Sequence, residues 1–337
     1  MKKLKVIQVG VGHDHASGAM STLKSLPDMF EIAGLVIPEE DELEFYEIQK
    51  PAYDGVKRLT LEQALNSGAD AAVIETADRL LTKYALIFAE AGFAVQMDKP
   101  GGTDQGEFER LTDLWEKKSL RIQLGYMYRF NPNVKRLFEL AERGELGEIL
   151  YVNAEMNCFH GPEKRDWLKD YPGGMMYFLG CHLVDVIYRL QGEPEEVIPV
   201  NRCVGLGGAR GCDSSFALFR YKNGASFARS AAVERGGQLR RQIVAVGTEG
   251  TFEIKPTEYP FRGYGKGLLR SDAVFTKDTA WSAAGEHIVS EPFDRYAGMF
   301  SSFHAIAAGE KENPYAPEYE KDLHRLILRA CGAGENS

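Results

Sequence analysis

The sequence predicts an α/β protein in two parts. An N-terminal, doubly wound parallel sheet is expected over residues 1–124, followed over residues 125–337 by an α+β domain with a large, mostly antiparallel open sheet. Two patterns predict this. Up to about residue 124, short apolar segments alternate with helical ones, and parallel strands require such crossovers. Beyond about residue 148 the rhythm changes to longer alternating segments divided by hairpin turns such as Lys222-Asn223-Gly224. A chain of 337 residues is long enough for two cores.

Residues 4–9 read as the first strand, and Gly10-Val11-Gly12-His13-Asp14-His15 turns directly into a helix reaching about Leu26. Strand 31–37, a polar helix near 40–49 and a short strand around 56–59 follow. Thr60 with Gln63 three residues on is a capping-box signature. After strand 71–75, Leu80, Leu81, Tyr84, Ile87, Phe88 and Ala91 recur at a helical period, and Gly92 stops that helix. Strand 93–97 runs into Asp98-Lys99-Pro100. Asp104 with Glu107 caps a helix to about Lys118, strand 121–124 follows, and Asn131-Pro132 opens a helix that Gly144 closes. Further strands are expected at 149–157, 197–204, 214–222, 225–234, 240–248 and 250–255. A helix at 176–190 interrupts them, helices near 294–309 and 318–332 close the chain, and 158–172 and 256–290 read as loops.

Forty-nine acidic residues against forty basic ones give a net charge of −9, with no basic stripe to attract phosphate backbones, so no nucleic acid partner is expected. The apolar run Val6-Ile7-Gln8-Val9 behind Lys2, Lys3 and Lys5 is too short for a signal peptide. No stretch of about eighteen apolar residues is present to span a bilayer. Cys158, Cys181, Cys203, Cys212 and Cys331 show no metal or redox spacing and read as reduced thiols of a cytoplasmic protein.

Ligands of doubly wound sheets bind at the carboxyl ends of the strands, which is where both Gly10–His15 and Asp98-Lys99-Pro100 fall. Gly10-x-Gly12 between a strand and a helix offers what a dinucleotide pyrophosphate needs: a tight turn, close backbone approach and a helix N-terminus. His15 stands where a third glycine would complete the fingerprint. The run His13, Asp14, His15 identifies too few ligands for a metal, and none is expected. Pro38 occupies the place of the ribose-binding acid after the second strand, so Glu39 or Glu40 must serve, unless both are solvated residues opening a helix. With no arginine at that point NAD is expected as cofactor, NADP not being excluded. An Asp-Lys-Pro turn by itself is ordinary solvated punctuation; its position makes Lys99 a candidate. Gly173-Gly174, Gly180, His182 and Asp185 carry the other candidate chemistry, with positions 182 and 185 on one helix face. A lone helical histidine is usually structural, whereas one paired with a lysine suits acid-base work.

Taken in order, these pieces resemble the Gfo/Idh/MocA family, the relatives of glucose-fructose oxidoreductase and inositol dehydrogenase, over nearly the whole chain. Gly10-Val11-Gly12 is similar to the family's nucleotide turn, Glu75-Thr76-Ala77-Asp78 to its Thr-Pro-Asn-type stretch over the cofactor, and Asp98-Lys99-Pro100 to its Glu-Lys-Pro. Gly125 through Pro132 is similar to the crossover segment, Gly173-Gly174 through Asp185 to the glycine-rich helix start, and Gly247-Thr248-Glu249-Gly250-Thr251 to a late hairpin. The resemblance implies a Rossmann domain, a second domain whose open sheet makes homodimers or homotetramers, and NAD(P)-linked hydride transfer at a secondary alcohol or ketone of a sugar, cyclitol or glycoside. It implies that Lys99 lies beside the nicotinamide and the substrate hydroxyl, with a cis Lys99-Pro100 bond, and that His182 is the acid-base residue. The cofactor set so implied is Gly10, Gly12, His13, His15, Glu39, Thr76, Asp78, Asp98, Lys99 and Arg129. The substrate set is Lys99, Tyr126, Trp167, Tyr177, His182 and Asp185.

One departure bears on mechanism. Family dehydrogenases commonly carry an aspartate four residues before the histidine, where this chain has Phe178. A carboxylate partner is worth on the order of 1.5–3 kcal/mol, roughly one to two pKa units in favour of protonated histidine. Without it His182 is expected to rest as a neutral base, an expectation contradicted if His182→Asn leaves the pH profile of activity unchanged. Two other readings stand beside the dehydrogenase. In one, NAD oxidises a carbon transiently so that a neighbouring glycosidic bond is eliminated. In the other, the chain is a non-catalytic dinucleotide or sugar sensor, which Phe178, His15 and Pro38 would suit and the presence of both Lys99 and His182 argues against.

Overall fold

The branched run Leu4–Val9 forms β1, whose Val6, Ile7 and Val9 side chains are fully buried, as a parallel strand covered on both faces requires. The computed structural model describes residues 2–261, 267–281 and 284–333. After β1 come α1 (Ala16–Ser25), β2 (Phe30–Val36), α2 (Leu43–Gln49), β3 (Arg58–Leu59), α3 (Leu61–Leu65), β4 (Ala71–Ile74), α4 (Leu81–Glu90), β5 (Ala94–Met97), α5 (Gln105–Lys118) and β6 (Ile122–Leu124). The six strands pair in parallel in the order β3-β2-β1-β4-β5-β6. The chain winds outward in one direction from β1 and in the other from β4, so the switch point falls between these two strands.

Local signals set the helix starts. Thr60 and Gln63 close both bonds of the capping box, at 3.1 and 3.0 Å, and the Asp104 side chain accepts the Glu107 N–H at 2.8 Å.

The second part runs through α6 (Pro132–Glu142), β7 (Ile149–Glu155), α7 (Pro162–Trp167), α8 (Cys181–Gln191), β8 (Glu196–Arg202), β9 (Ser214–Tyr221), β10 (Gly224–Ala231), β11 (Gln242–Gly247) and β12 (Thr251–Ile254). The Asn131 side chain caps α6, accepting the Asn133 and Val134 N–H groups at 3.0 and 3.2 Å. Two differences from the sequence reading follow. The stretch 158–172 contains α7, and 256–290 contains a small hairpin, β13 (Tyr259–Pro260) with β14 (Leu269–Arg270), then β15 (Asp272–Thr276) and β16 (Glu286–Val289). Residues 262–266 and 282–283 of that second stretch lie outside the described residues. β15 pairs antiparallel with β12 and β16 with β15, giving an eight-stranded sheet ordered β16-β15-β12-β11-β7-β10-β9-β8, antiparallel except for β7 with β10.

One face of this sheet is covered. Val152, Ala154, Ala217, Phe219, Ala228 and Ala245 are buried, and α8 packs on β7 and β10. The other face carries Tyr151, Ile198 and Val200 in the open, beside a stacked Phe216–Phe227 pair.

The chain closes with α9 (Ala297–Ala308) and α10 (Pro317–Ala330). Compactness divides it into one unit through Met127 joined by Tyr296–His324, and another spanning Tyr128–Arg295 joined by the segment from Arg325. The first break falls between Met127 and Tyr128, and α9 belongs to the first unit. There Arg121 donates to the Ala307 carbonyl at 2.7 Å, Gln123 to the Met299 carbonyl at 3.0 Å, and Phe30 packs edge-on against Phe300. The apolar pattern of α9 marks it as a buried helix without saying which core it joins.

Candidate functional site

In the first unit, β1 ends on Gly10, whose φ of +89° lets its N–H reach the Val36 carbonyl at 2.7 Å. A β-carbon on Gly10 would lie 2.5 Å from Thr76 Cα, and one on Gly12 would lie 2.7 Å from both the Ala77 nitrogen and Glu42 Oε1. The two glycines therefore allow the turn after β1 to press against the turn after β4. The resulting cradle presents two backbone donors, and Glu42, 1% exposed, fills it: Oε2 accepts the Val11 N–H and Oε1 the Ala77 N–H, each at 2.9 Å. Thr76 is buried, and its hydroxyl meets no hydrogen-bond partner among the described residues. One donor from the glycine turn after β1 and one from the turn after β4, with an orphaned hydroxyl beside them, fit a dinucleotide pyrophosphate, and the carboxylate in place is a stand-in anion.

Glu42 is absent from the expected cofactor set. Glu39, the expected ribose acid, accepts from the Lys83 ammonium at 2.9 Å and the Tyr84 hydroxyl at 2.6 Å, and these bonds hold its carboxyl below the usual range. Glu40 is exposed, at the start of the helical turn Glu40–Glu42.

Three neighbouring parallel strands then bring charge together. His13 follows β1, Glu75 and Asp78 follow β4, and Asp98 and Lys99 follow β5; all five are at most 2% exposed. His13 Nδ1 lies 3.3 Å from Asp98 Oδ2 and 3.8 Å from Glu75 Oε2, and its Nε2 lies 3.6 Å from Asp78 Oδ1. His15 Nδ1 sits 3.0 Å from Asp98 Oδ2, and Asp98 Oδ1 accepts the Lys99 N–H at 2.6 Å. The Lys99-Pro100 bond is cis, as the family resemblance implies.

Burial pulls the His13 pKa down, but the Asp98 and Asp78 carboxylates outweigh it and leave the imidazole above its ordinary value. Burial would raise Asp98 and Asp78, yet the neighbouring His13 holds both down. For Glu75, burial and then repulsion from Asp98 act in the same direction and push its carboxyl well above the usual range. His15 is lowered, burial outweighing the pull of Asp98. The cluster thus drives its acids apart, Asp98 and Asp78 downward and Glu75 upward. Tyr126, just past β6 in the same unit, is buried with its N–H on the Leu124 carbonyl at 2.9 Å.

In the second unit, Arg129 and Asp185, expected on cofactor and substrate respectively, form a buried two-point fork, Nε to Oδ2 and Nη2 to Oδ1, each at 2.9 Å. His182, on the first turn of α8, is 1% exposed and lies edge-on to Tyr128, ring centroids 4.9 Å apart. A π-helical turn, Met176–Gly180, leads into α8. It places Phe178 in an apolar cluster with Cys158, Leu168, Met175 and Ala232, with the Lys164 ammonium 4.8 Å from its ring centroid. Trp167 packs edge-on to Phe178 at 5.5 Å and carries the Lys164 ammonium 3.4 Å from its ring centroid. Tyr177 is fully buried and stacks on Tyr171 at 5.6 Å. The expected residues thus gather into two groups, His13, His15, Thr76, Asp78, Asp98 and Lys99 in the first unit and Arg129, His182 and Asp185 in the second.

Residues 134–253 match the family model described as the GFO/IDH/MocA C-terminal domain. An uncharacterised oxidoreductase of Schizosaccharomyces pombe is 28% identical over 202 residues, 58% of this chain and 54% of that protein, so the chain spans about half of that relative's length. The trans-1,2-dihydrobenzene-1,2-diol dehydrogenase of Bos taurus is 24% identical over 281 residues, covering 79% of this chain and 78% of the relative. In fold the chain is similar to the crystal structure of the WlbA dehydrogenase from Bordetella pertussis in complex with NADH and UDP-GlcNAcA, with a TM-score of 0.72, 17% identity, and 98% and 97% of the two chains covered. The match over residues 134–253 thus gives the chain a region similar to the GFO/IDH/MocA C-terminal domain, and its parallel sheet followed by an open sheet has the fold of the solved oxidoreductases it resembles.

Proposed function

We propose that the chain is a nicotinamide-dependent dehydrogenase or reductase acting on a secondary alcohol or ketone of a sugar, cyclitol or glycoside. The observation that carries this reading is the cradle formed by the Val11 N–H, between Gly10 and Gly12, and the Ala77 N–H after β4, already holding the Glu42 carboxylate in the unit that contains buried Lys99. The names of the bovine diol dehydrogenase and of the Bordetella structure with NADH and UDP-GlcNAcA support CH–OH chemistry.

In this reading Gly10, Gly12 and the Val11 and Ala77 N–H groups hold the pyrophosphate. The Thr76 hydroxyl offers a further hydrogen bond, and His13, His15, Asp78 and Asp98 border the reacting end. Glu39 at the end of β2 favours a free ribose hydroxyl, hence NAD before NADP. When bound, the nicotinamide supplies the hydride acceptor. Lys99 donates to the substrate oxygen and stabilises the charge that develops on it. His182 is the acid-base candidate of the second unit, which also holds the substrate-binding candidates Trp167 and Tyr177, while Tyr126 is that of the first. Arg129 and Asp185 act as a locked pair that keeps α8, and with it His182, in place. The open face with Tyr151, Ile198 and Val200 is the self-association surface, and the five free thiols suit a reducing, cytoplasmic setting.

The test is incubation with NAD or NADP against sugars, cyclitols and glycosides, following both reduced-cofactor absorbance and products. Net release of reduced cofactor supports the dehydrogenase. Glycoside cleavage without it would assign the transient-oxidation reaction instead, and binding of cofactor and sugar with no turnover would assign a sensor.

A further inference from the structure

The ends of β1, β4 and β5 bring together more metal-binding donors than hydride transfer needs. We propose that His13, His15 and Asp98 bind a divalent transition-metal ion, with Glu75 supplying a fourth donor. One donor atom from each of the first three lies within 4.8 Å of the other two. Asp98 Oδ2 stands 3.0 Å from His15 Nδ1 and 3.3 Å from His13 Nδ1. Nitrogen and oxygen ligands bound tetrahedrally at about 2.0–2.2 Å are about 3.4 Å apart, close to the two separations between Asp98 and the histidines. Two imidazoles with carboxylates suit zinc and its neighbours rather than magnesium or calcium.

An observation independent of that spacing also calls for a ligand. Glu75 Oε2, Asp78 Oδ1 and His13 Nε2 are fully buried and make no hydrogen bond among the described residues. Glu75 Oε2, 3.8 Å from His13 Nδ1, closes on an ion held there, and Asp78 Oδ1, 3.6 Å from His13 Nε2, is placed as the outer carboxylate that orients a ligating imidazole. The His15 N–H now donates to His13 Nδ1 at 3.2 Å, and coordination replaces that long bond. The cluster borders the proposed reacting end, but the ion's binding requires no nicotinamide and is measured without it.

The test strips the full chain with chelator and titrates it with Co²⁺ in the absence of nicotinamide. Visible d–d absorption, saturation at one ion per chain and displacement by Zn²⁺ are expected. His15→Asn, at the partly exposed ligand, should weaken binding by at least about tenfold while circular dichroism remains that of the wild type. X-ray absorption on the Zn²⁺-loaded wild type, which needs no variant, should show two imidazoles. Absence of the visible bands overturns the proposal, as does a zinc shell without imidazole or a Co²⁺ spectrum unchanged in a folded His15→Asn. Metal uptake with no NAD binding overturns only the dehydrogenase reading, and NAD turnover without metal uptake overturns only this one.

Discussion

The Glu42 carboxylate lies in the glycine turn of β1, one oxygen accepting the Val11 N–H at 2.9 Å. The chain thus fills its anion cradle with its own charge, and a dinucleotide phosphate must displace Glu42 before it can use the same donors. Glu42→Gln removes the charge that competes while keeping a carbonyl oxygen for the turn. A charge-assisted bond is worth about 1.5–3 kcal/mol, so the variant should bind NAD about tenfold more tightly by titration calorimetry. Weaker binding in a folded Glu42→Gln would mean that the carboxylate supports the cofactor rather than competing with it.

How much of this is legible in the sequence depends on the range of the interaction. The parallel series is legible because most of its strands are short apolar runs alternating with helices whose starts are locally signalled, and Thr60, Asp104 and Asn131 cap in the structure through their own side chains. β15 and β16 are not legible: their pattern is only partly buried, Ala273 being the one buried residue of β15, and their pairing depends on β12. Gly10, Gly12 and Lys99 stand out because turn chemistry and strand ends are local. Glu42 does not, since it meets Val11 across 31 positions, and the gathering of His13, Glu75, Asp78 and Asp98 depends on the register of three strands.

The Arg129–Asp185 fork predicts a large stability effect with a specific pattern. Both groups are buried, so Arg129→Met deprives Asp185 of its guanidinium and should cost about 3–5 kcal/mol in denaturant unfolding. The double variant Arg129→Met, Asp185→Leu should recover most of that loss. Equal destabilisation in single and double variants would show that the fork's charges are not what matters.

His324 predicts the acid side of the stability profile. Its Nε2–H donates to the Gly102 carbonyl at 3.0 Å and its ring stacks on Phe108 at 4.2 Å, and burial pulls its pKa from 6.5 down to about 4. The unfolded chain therefore takes up the proton first as pH falls. The contribution is fully present above pH 6.5 and is lost progressively as pH falls through about 4, up to on the order of 3 kcal/mol. His324→Gln keeps a donor for Gly102 but cannot titrate there, so it should flatten the slope of unfolding free energy against pH in that window. An unchanged slope would assign the acid sensitivity to other groups.

The central claim is hydride transfer from a secondary alcohol to a nicotinamide held by the first unit, with Lys99 on the substrate oxygen. Lys99→Met should keep NAD affinity within a few-fold and lower kcat by about 10²–10³, the range for loss of a positioned electrostatic donor. The most direct measurement uses a substrate from the panel deuterated at the reacting carbinol carbon, with the reduced cofactor analysed by mass spectrometry. The account predicts deuterium in the reduced nicotinamide, a rate lowered by the isotope, and transfer slowed by about 10²–10³ in Lys99→Met. Reduced cofactor without deuterium, or product formed at full rate by Lys99→Met, would contradict it.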